Sequence, residues 1–366
     1  MFSIEKLYTR NHLKLKGFRK RINSVKQVAY DSGGFSFLLG KIKQLPDPKV
    51  TVAIYKALGF REKDFLVQLD LPPQYYMSKN ERLRLIYESA KNYHIMVSEL
   101  GSNVLGVVHG WDVEELKLSL ELLRDPDKVA LGTYFPVTKV YAHKYIGLGS
   151  FAVKTVLPEK SVELGPRKTV ATPSANAEKV LQRVPKKVVY ERLVTAFNLL
   201  RDYQVFCLGG SGPNTAHLIF FLGAKFIDGS SWRLAAKLWR IYVPHLGEFS
   251  VGVKRIAKRL NDKAIEVMKE YYYDSPLKDI PFHDFLGKIR QNGSEAFILR
   301  ALWNAYVMKV EEQIANQYSN DPDRYYKYLC RRWENSPWKR NLEFVVKRIK
   351  QPYVQTKLTV FIKKEG

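Results

Sequence analysis

Six short apolar stretches constrain this chain more than any other feature. They are 26–31 (KQVAYD), 65–70 (FLVQLD), 103–109 (NVLGVVH), 143–149 (HKYIGLG), 203–208 (YQVFCL) and 224–228 (AKFID). Each has the length and β-branched content of a buried strand, and polar or glycine residues follow most of them. Helical periods lie between them, at 79–95, 112–124, 187–201 and 214–222. Asp112 and Glu115 have the spacing of a capping box, which starts a helix directly after the third strand, and Gly223 fits a helix end. Alternating strands and helices predict an α/β fold with a parallel sheet covered on both faces. Asp31, Asp70, His109, Gly149, Gly209 and Asp228 all fall just after strand C-termini. An open doubly wound sheet gathers such groups at one switch point, whereas a TIM-type (β/α)8-like barrel collects them from many strand ends. The pattern favours the barrel.

Organisation follows from local composition. Residues 1–250 read as the barrel, with 156–186, rich in Pro, Lys, Ser and Thr, as an inserted loop or lid. Residues 251–366 read as a mostly helical, basic extension. Within it 251–272 and 294–318 look helical, and the second is apolar on most faces, as a buried helix would be. At 46% hydrophobic, a chain of 366 residues can bury a large core. Its formal charge of +24 favours a polyanionic partner, with nucleic acid first and an acidic membrane surface second. Residues 319–366 and the first 28 residues each carry a net +7, so the two ends supply 14 of the excess charges. Cys207 and Cys330 build neither a disulfide framework nor a Cys-x-x-Cys site, so no metal or other cofactor is expected. The charged N-terminus does not read as a signal peptide, and "HLIFFLGA" (217–224) is too short to span a bilayer. These features predict a cytoplasmic protein that does not engage a membrane.

"VAYDSGGFSFLLG" (28–40) places an aspartate at a strand end with two glycines behind it. The arrangement suits either a turn or an acid at an active-site rim where a flat ligand can approach bare backbone. Two further segments bear on the choice, "GLGSFAV" (147–153) and "LGGSGPNTAHLIFFLGAKFIDGSSWR" (208–233). With Asp70, "VVHGW" (107–111) and "FIDGSS" (226–231), they run in the order found in the tRNA-guanine transglycosylase family. The chain resembles that family over about residues 28–233. The family consists of barrel enzymes that exchange guanine for a 7-deazaguanine.

The resemblance implies Asp228 as nucleophile on C1′ and Asp31 as general acid/base, about 5 Å apart, the spacing of retaining glycosidases. It implies a base site made of Ser32, Gly33, Gly34, Asp70, His109, Gly149 and Ser150. Asp70 can accept from N1–H and the exocyclic amine of guanine together. Tyr75, Tyr76 or Phe35 can stack on the ring. Each residue also has a plain structural use. Asp31 and Asp70 can cap a turn or a helix. "GGSG" can be a loop or a phosphate cradle. His109 can read the base or support the fold, and His217, inside a predicted helix, reads as structural.

Three departures from the family point to a particular branch. The Cys-x-Cys-x-x-Cys…His zinc site is missing. Only about 26 residues precede the first aspartate strand, where the family has two strands, so 353–364 (YVQTKLTVFIKK) is a candidate to close the barrel. The flanks differ from those that grip tRNA. With basic ends, the chain looks like the DNA-directed members, which insert 7-deazaguanines into DNA and must flip a nucleotide out of the duplex. Arg19, Lys20, Arg21, Arg233, Arg331, Arg332, Lys339 and Arg340 are the candidate nucleic-acid contacts. Trp333, Trp338, Tyr325 and Tyr326 either stack bases or form a helical core. Duplex DNA and a 7-deazaguanine base are the implied partners, with accessory DNA-modification proteins possible alongside. The alternatives are a tRNA-acting transglycosylase, a non-catalytic nucleic-acid-binding barrel subunit and a barrel enzyme acting on free nucleosides.

Overall fold

The computed structural model describes residues 2–3, 26–33, 47–129, 144–149, 184–210, 212–252 and 258–349. Gly34, Ser150, Arg19, Lys20, Arg21, Phe35, the loop over 156–183 and the segment 353–364 lie outside the described residues. By their contacts the residues divide into two compact units, Met1–Leu208 and Gly209–Gly366.

The first unit is an α/β unit built on parallel strands. Strand β1 (Phe2–Ser3) pairs with β2 (Ala29–Asp31), β2 with β3 (Phe65–Val67), and β3 with β4 (Val104–Leu105), every pair parallel. β5 (Val107–Val108) continues directly from β4 and pairs in parallel with β6 (Tyr145–Leu148), which pairs with β7 (Gln204–Cys207). Gly106 sits at the break between β4 and β5, where its carbonyl accepts from Gly147 N at 2.7 Å. A Cβ at Gly106 would stand 3.0 Å from the Tyr93 ring. Within each of the two parallel sheets, neighbouring strands are therefore consecutive in the chain. β1 was not legible in the sequence, and it supplies one strand ahead of the aspartate strand.

Helices fill the intervals, and their ends show why they start and stop there. α1 (Pro48–Leu58) opens with Pro48 behind Asp47, whose side chain accepts from Lys49 N at 2.7 Å, and ends at Gly59 in the left-handed region. α2 (Lys79–Leu100) carries a full Ser78/Glu81 capping box. α3 (Val113–Arg124) has half of one: Asp112 accepts from Glu115 N, but the Glu115 carboxylate is used elsewhere. α4 is Lys186–Leu199. Tyr55 of α1 bridges two strands, with its hydroxyl donating to the carbonyls of Tyr30 (3.1 Å) and Val67 (2.9 Å).

The second unit begins with α5 (Pro213–Phe221), closed by Gly223 at φ +106, then β8 (Phe226–Ile227) and α6 (Ser231–Lys237). An antiparallel hairpin follows, β9 (Arg240–Val243) with β10 (Gly247–Ser250). It is not legible in the sequence, because a four-residue buried strand beside a positive-φ turn carries no alternation. Within the expected helix over 251–272, of which 253–257 lie outside the described residues, a helix runs from Asp262, capped by Asn261, and Ser250 bridges to Arg259 ahead of it. That helix is α7 (Asp262–Tyr272), followed by α8 (Phe282–Lys288), α9 (Ser294–Gln317), α10 (Pro322–Arg332) and α11 (Pro337–Val346). Trp303 and Asn304 of α9 lock the hairpin: Trp303 Nε1 donates to Tyr242 O and Asn304 Oδ1 accepts from Tyr242 N, both at 2.7 Å. α9 is buried on one side only. Ile298 and Leu302 remain exposed, so its apolar character is not that of a helix enclosed on every face. No helix among the described residues is long and apolar enough to cross a membrane.

Candidate functional site

The C-terminal ends of β2 and β3 in one sheet, and of β5 and β6 in the sheet that follows from β4, carry the predicted base-site residues of the first unit. Past β3 the backbone leaves the ladder, and side chains satisfy it. Asn92 donates to Leu69 O (2.9 Å), the Ser89 hydroxyl accepts from Leu71 N (2.8 Å), and Gln68 Oε1 accepts from Val107 N (3.0 Å). These bonds deliver Asp70 to the rim, where its side chain is 9% exposed. His109, fully buried at the end of β5, places Nε2 3.1 Å from Asp70 Oδ2. Its own backbone N–H donates to Ser119 Oγ at 3.0 Å.

Gly149, at the end of β6, is fitted against this pair. A Cβ there would lie 2.3 Å from His109 Cε1 and 2.8 Å from a Val107 methyl. Only glycine leaves the His109 ring where Asp70 meets it. Gly149→Ala is expected to displace the imidazole and cost about 1–3 kcal/mol, the range for overpacking a tight site. A lowered Tm, read by circular dichroism, checks this.

Asp31 ends β2, the strand beside β3. Its Oδ1 accepts from Gly33 N at 3.2 Å, an Asx turn, with Gly33 at φ +83. Ser32 is fully buried and Gly33 is buried. The turn reading of this stretch therefore holds, and the half-buried Asp31 carboxylate stands at the rim while making it. In the second unit, Asp228 follows β8, and Gly209 N donates to its Oδ1 at 2.8 Å and to its carbonyl at 3.2 Å. Gly209 takes φ +94 to do so, a conformation that favours glycine.

Several residues that support the rim were not found in the sequence. Arg192 of α4 is buried and donates to Gly149 O at 2.5 Å and to Gly110 O, with its guanidinium 5.0 Å from the Trp111 ring centroid. One side chain thus ties together the loops that follow β5 and β6. Burial pulls its guanidinium down to about 10. Arg82 of α2 ties the loop after Asp70: it donates to Met77 O (2.6 Å) and pairs with the buried Glu115 at 2.7 Å. Glu115 in turn accepts from Trp111 N, and Trp111 Nε1 donates to Pro73 O, both at 2.8 Å. Tyr75 meets Trp111 edge-on, with ring centroids 5.5 Å apart, while Tyr76 is exposed. No sequence signal singles out Arg192, one cation among several in a helix. Glu115 was legible only as a helix-start residue.

The basic candidates divide. Arg233, Arg331 and Arg340 are exposed and Lys339 is half-buried. Arg332, expected to contact nucleic acid, lies in the core instead. Its side chain is 1% exposed, and both amino groups bond Glu311 at 2.8 Å. A guanidinium neutralised inside the core does not meet a phosphate. Tyr325 and Trp333 are core residues as well, with Trp333 Nε1 donating to Asn214 at 2.9 Å. His217 is structural, as its helical position suggested: Nε2 donates to Glu311 (2.8 Å) and Nδ1 meets the Tyr325 hydroxyl (2.6 Å).

The Asp70–His109 edge can accept hydrogen bonds from a planar donor beside bare backbone. Asp228 presents an oriented carboxylate. Among the described residues, no group of three or more His, Cys, Asp or Glu is placed to hold a metal ion. No protein-family model and no curated protein matches the chain.

Proposed function

We propose that this chain is a base-exchange glycosyltransferase that replaces guanine in DNA by a 7-deazaguanine of the 7-cyano type, on a TIM-type barrel. Parallel strands in chain order, with site residues after successive strand ends, support the barrel. The observation that carries the function is the Asp70–His109 pair with Gly149 packed on it, at the end of adjacent strands. The Asp70 carboxylate, 3.1 Å from the buried His109 Nε2, has acceptor lone pairs for the N1–H and 2-amino group of guanine.

In this reading Asp228 attacks C1′. The C1′–N9 bond breaks, its electron pair leaves with guanine, and Asp31 gives the departing base a proton. The incoming 7-deazaguanine loses its N9 proton to Asp31, and N9 takes C1′ from Asp228. Ser32 and Gly33 line the base edge. Duplex DNA is the polymer substrate, and the charge of +24 suits it. The engagement of Asp31 with Gly33 N favours one competing reading, a non-catalytic nucleic-acid-binding subunit in which Asp31 serves the turn alone.

Exchange of radiolabelled guanine into duplex DNA and, in parallel, into bulk tRNA tests the proposal. Label is expected in DNA. Asp70→Asn is expected to raise the KM for the base about 10–100-fold, the worth of one charge-assisted bond. Label in tRNA alone would replace the substrate. Absence of label in both would support the binding subunit.

A further inference from the structure

We infer that α10 binds the phosphodiester backbone of duplex DNA through Arg324, Lys327 and Arg331. The inference rests on the reading of duplex DNA as substrate. These cations stand at i, i+3 and i+7, which a helix places within about 60° of one another over roughly 10 Å of its length. All are exposed. The other side of α10 carries Tyr325, Leu329 and Arg332, which enter the core.

Each part of the helix serves this presentation. The bidentate Arg332–Glu311 pair anchors the inner side. Asp321 caps the start by accepting from Arg324 N at 3.0 Å. The Arg324 guanidinium lies 5.4 Å from the centroid of Tyr318, whose ring stacks on Tyr328 at 4.8 Å and on Tyr325 at 5.4 Å. An arginine steadied on an aromatic stack loses less rotamer freedom when it grips a phosphate.

The surroundings select the partner. From Asp321 to Arg348 the chain has 8 Lys/Arg against Asp321, Asp323, Glu334 and Glu343. Along α11 and its C-cap the exposed residues run Arg340, Glu343, Lys347, with an acid between the cations, whereas on α10 no acid lies between Arg324 and Arg331 and Asp323 stands at the helix start. A membrane-bound helix inserts an apolar face between lipids, and α10 has already buried its own. Three cations in line suit a polyanion with one charge per about 3.4 Å of each strand. Nothing in the row reads a base edge, so binding is expected to be independent of sequence.

The test is the affinity of the full chain for a fluorescent 30-base-pair duplex of mixed sequence across a salt series. The variant is Arg324→Gln/Lys327→Gln/Arg331→Gln. A control, Lys263→Gln/Lys269→Gln/Lys278→Gln, removes the same charge from α7 and the turn beyond it. The α10 variant is expected to bind at least tenfold more weakly, and its slope of log Kd against log salt to be shallower by about 2.7, at 0.9 per lost cation. The control is expected to lose less than threefold. Equal losses in both would overturn the inference, as would an unchanged slope or capture by anionic vesicles but not by the duplex. Duplex binding that depends on α10 as expected, in a wild type that shows no base exchange, would sink the enzymatic reading and leave this surface standing.

Discussion

Glu311→Gln is expected to destabilise the second unit by about 3–5 kcal/mol, the range for removing one partner of a buried ion pair. The carboxylate is 1% exposed and meets two guanidinium nitrogens of Arg332 and Nε2 of His217, each at 2.8 Å. It also accepts from His245 N at 3.1 Å. Glutamine keeps the shape but leaves the Arg332 charge buried without a counter-ion. Burial alone would raise the Glu311 carboxyl; the charge of Arg332 and the bonds from Arg332 and His217 outweigh it and hold the group at about 2. His217 and His245 are held low chiefly by burial.

The pH dependence follows from these directions. A depressed pKa gives stability that is full above the unfolded value and drains as pH falls toward the folded one. The histidines therefore begin to weaken the unit below about pH 6.5, and Glu311 adds a loss of about 3 kcal/mol between about pH 5 and 2. Urea unfolding from pH 8 to 3, followed by circular dichroism, is expected to show both phases in the wild type and only the first in Glu311→Gln. Identical profiles would mean that Glu311 is not ionised in the core.

Asp228→Asn is expected to reduce base exchange on the order of 10⁴-fold or more, as loss of a covalent nucleophile does in other enzymes. The fold is expected to survive. The carboxylate oxygen that accepts from Gly209 N is replaced by an amide oxygen that accepts as well. A half-buried site with its backbone bond intact changes stability by about 0.5 kcal/mol or less. Single-turnover exchange and a Tm measured on the same sample separate the two effects. A variant that exchanges within tenfold of wild type would remove Asp228 from the chemistry.

The parallel strands were legible because each is a short apolar run bounded by polar residues. All six stretches contain strands near the expected places, though shorter at their ends. Asp70, His109 and Gly149 could be placed at strand C-terminal ends because parallel strands put their C-termini on one side. Their contact could not be foreseen, since it depends on how Ser89, Asn92 and Gln68 carry the backbone past β3. Arg192 was hidden for a similar reason: its role lies in two carbonyls, at Gly110 and Gly149, far from it in sequence. Arg332 misled because charge in a sequence carries no sign of burial. Its partner Glu311 lies on another helix, and Arg331 next to it is exposed. The hairpin at 240–250 left no trace because buried four-residue strands look like helix fragments.

In the proposed reaction Asp228 bonds covalently to a nucleotide of DNA. The direct measurement incubates the protein with end-labelled duplex DNA without acceptor base, quenches in denaturant and resolves protein-linked label on a gel. Wild type is expected to carry label, addition of guanine before the quench to discharge it, and Asp228→Asn to carry none. Label retained by Asp228→Asn, or absent from wild type that binds the duplex, would contradict the account.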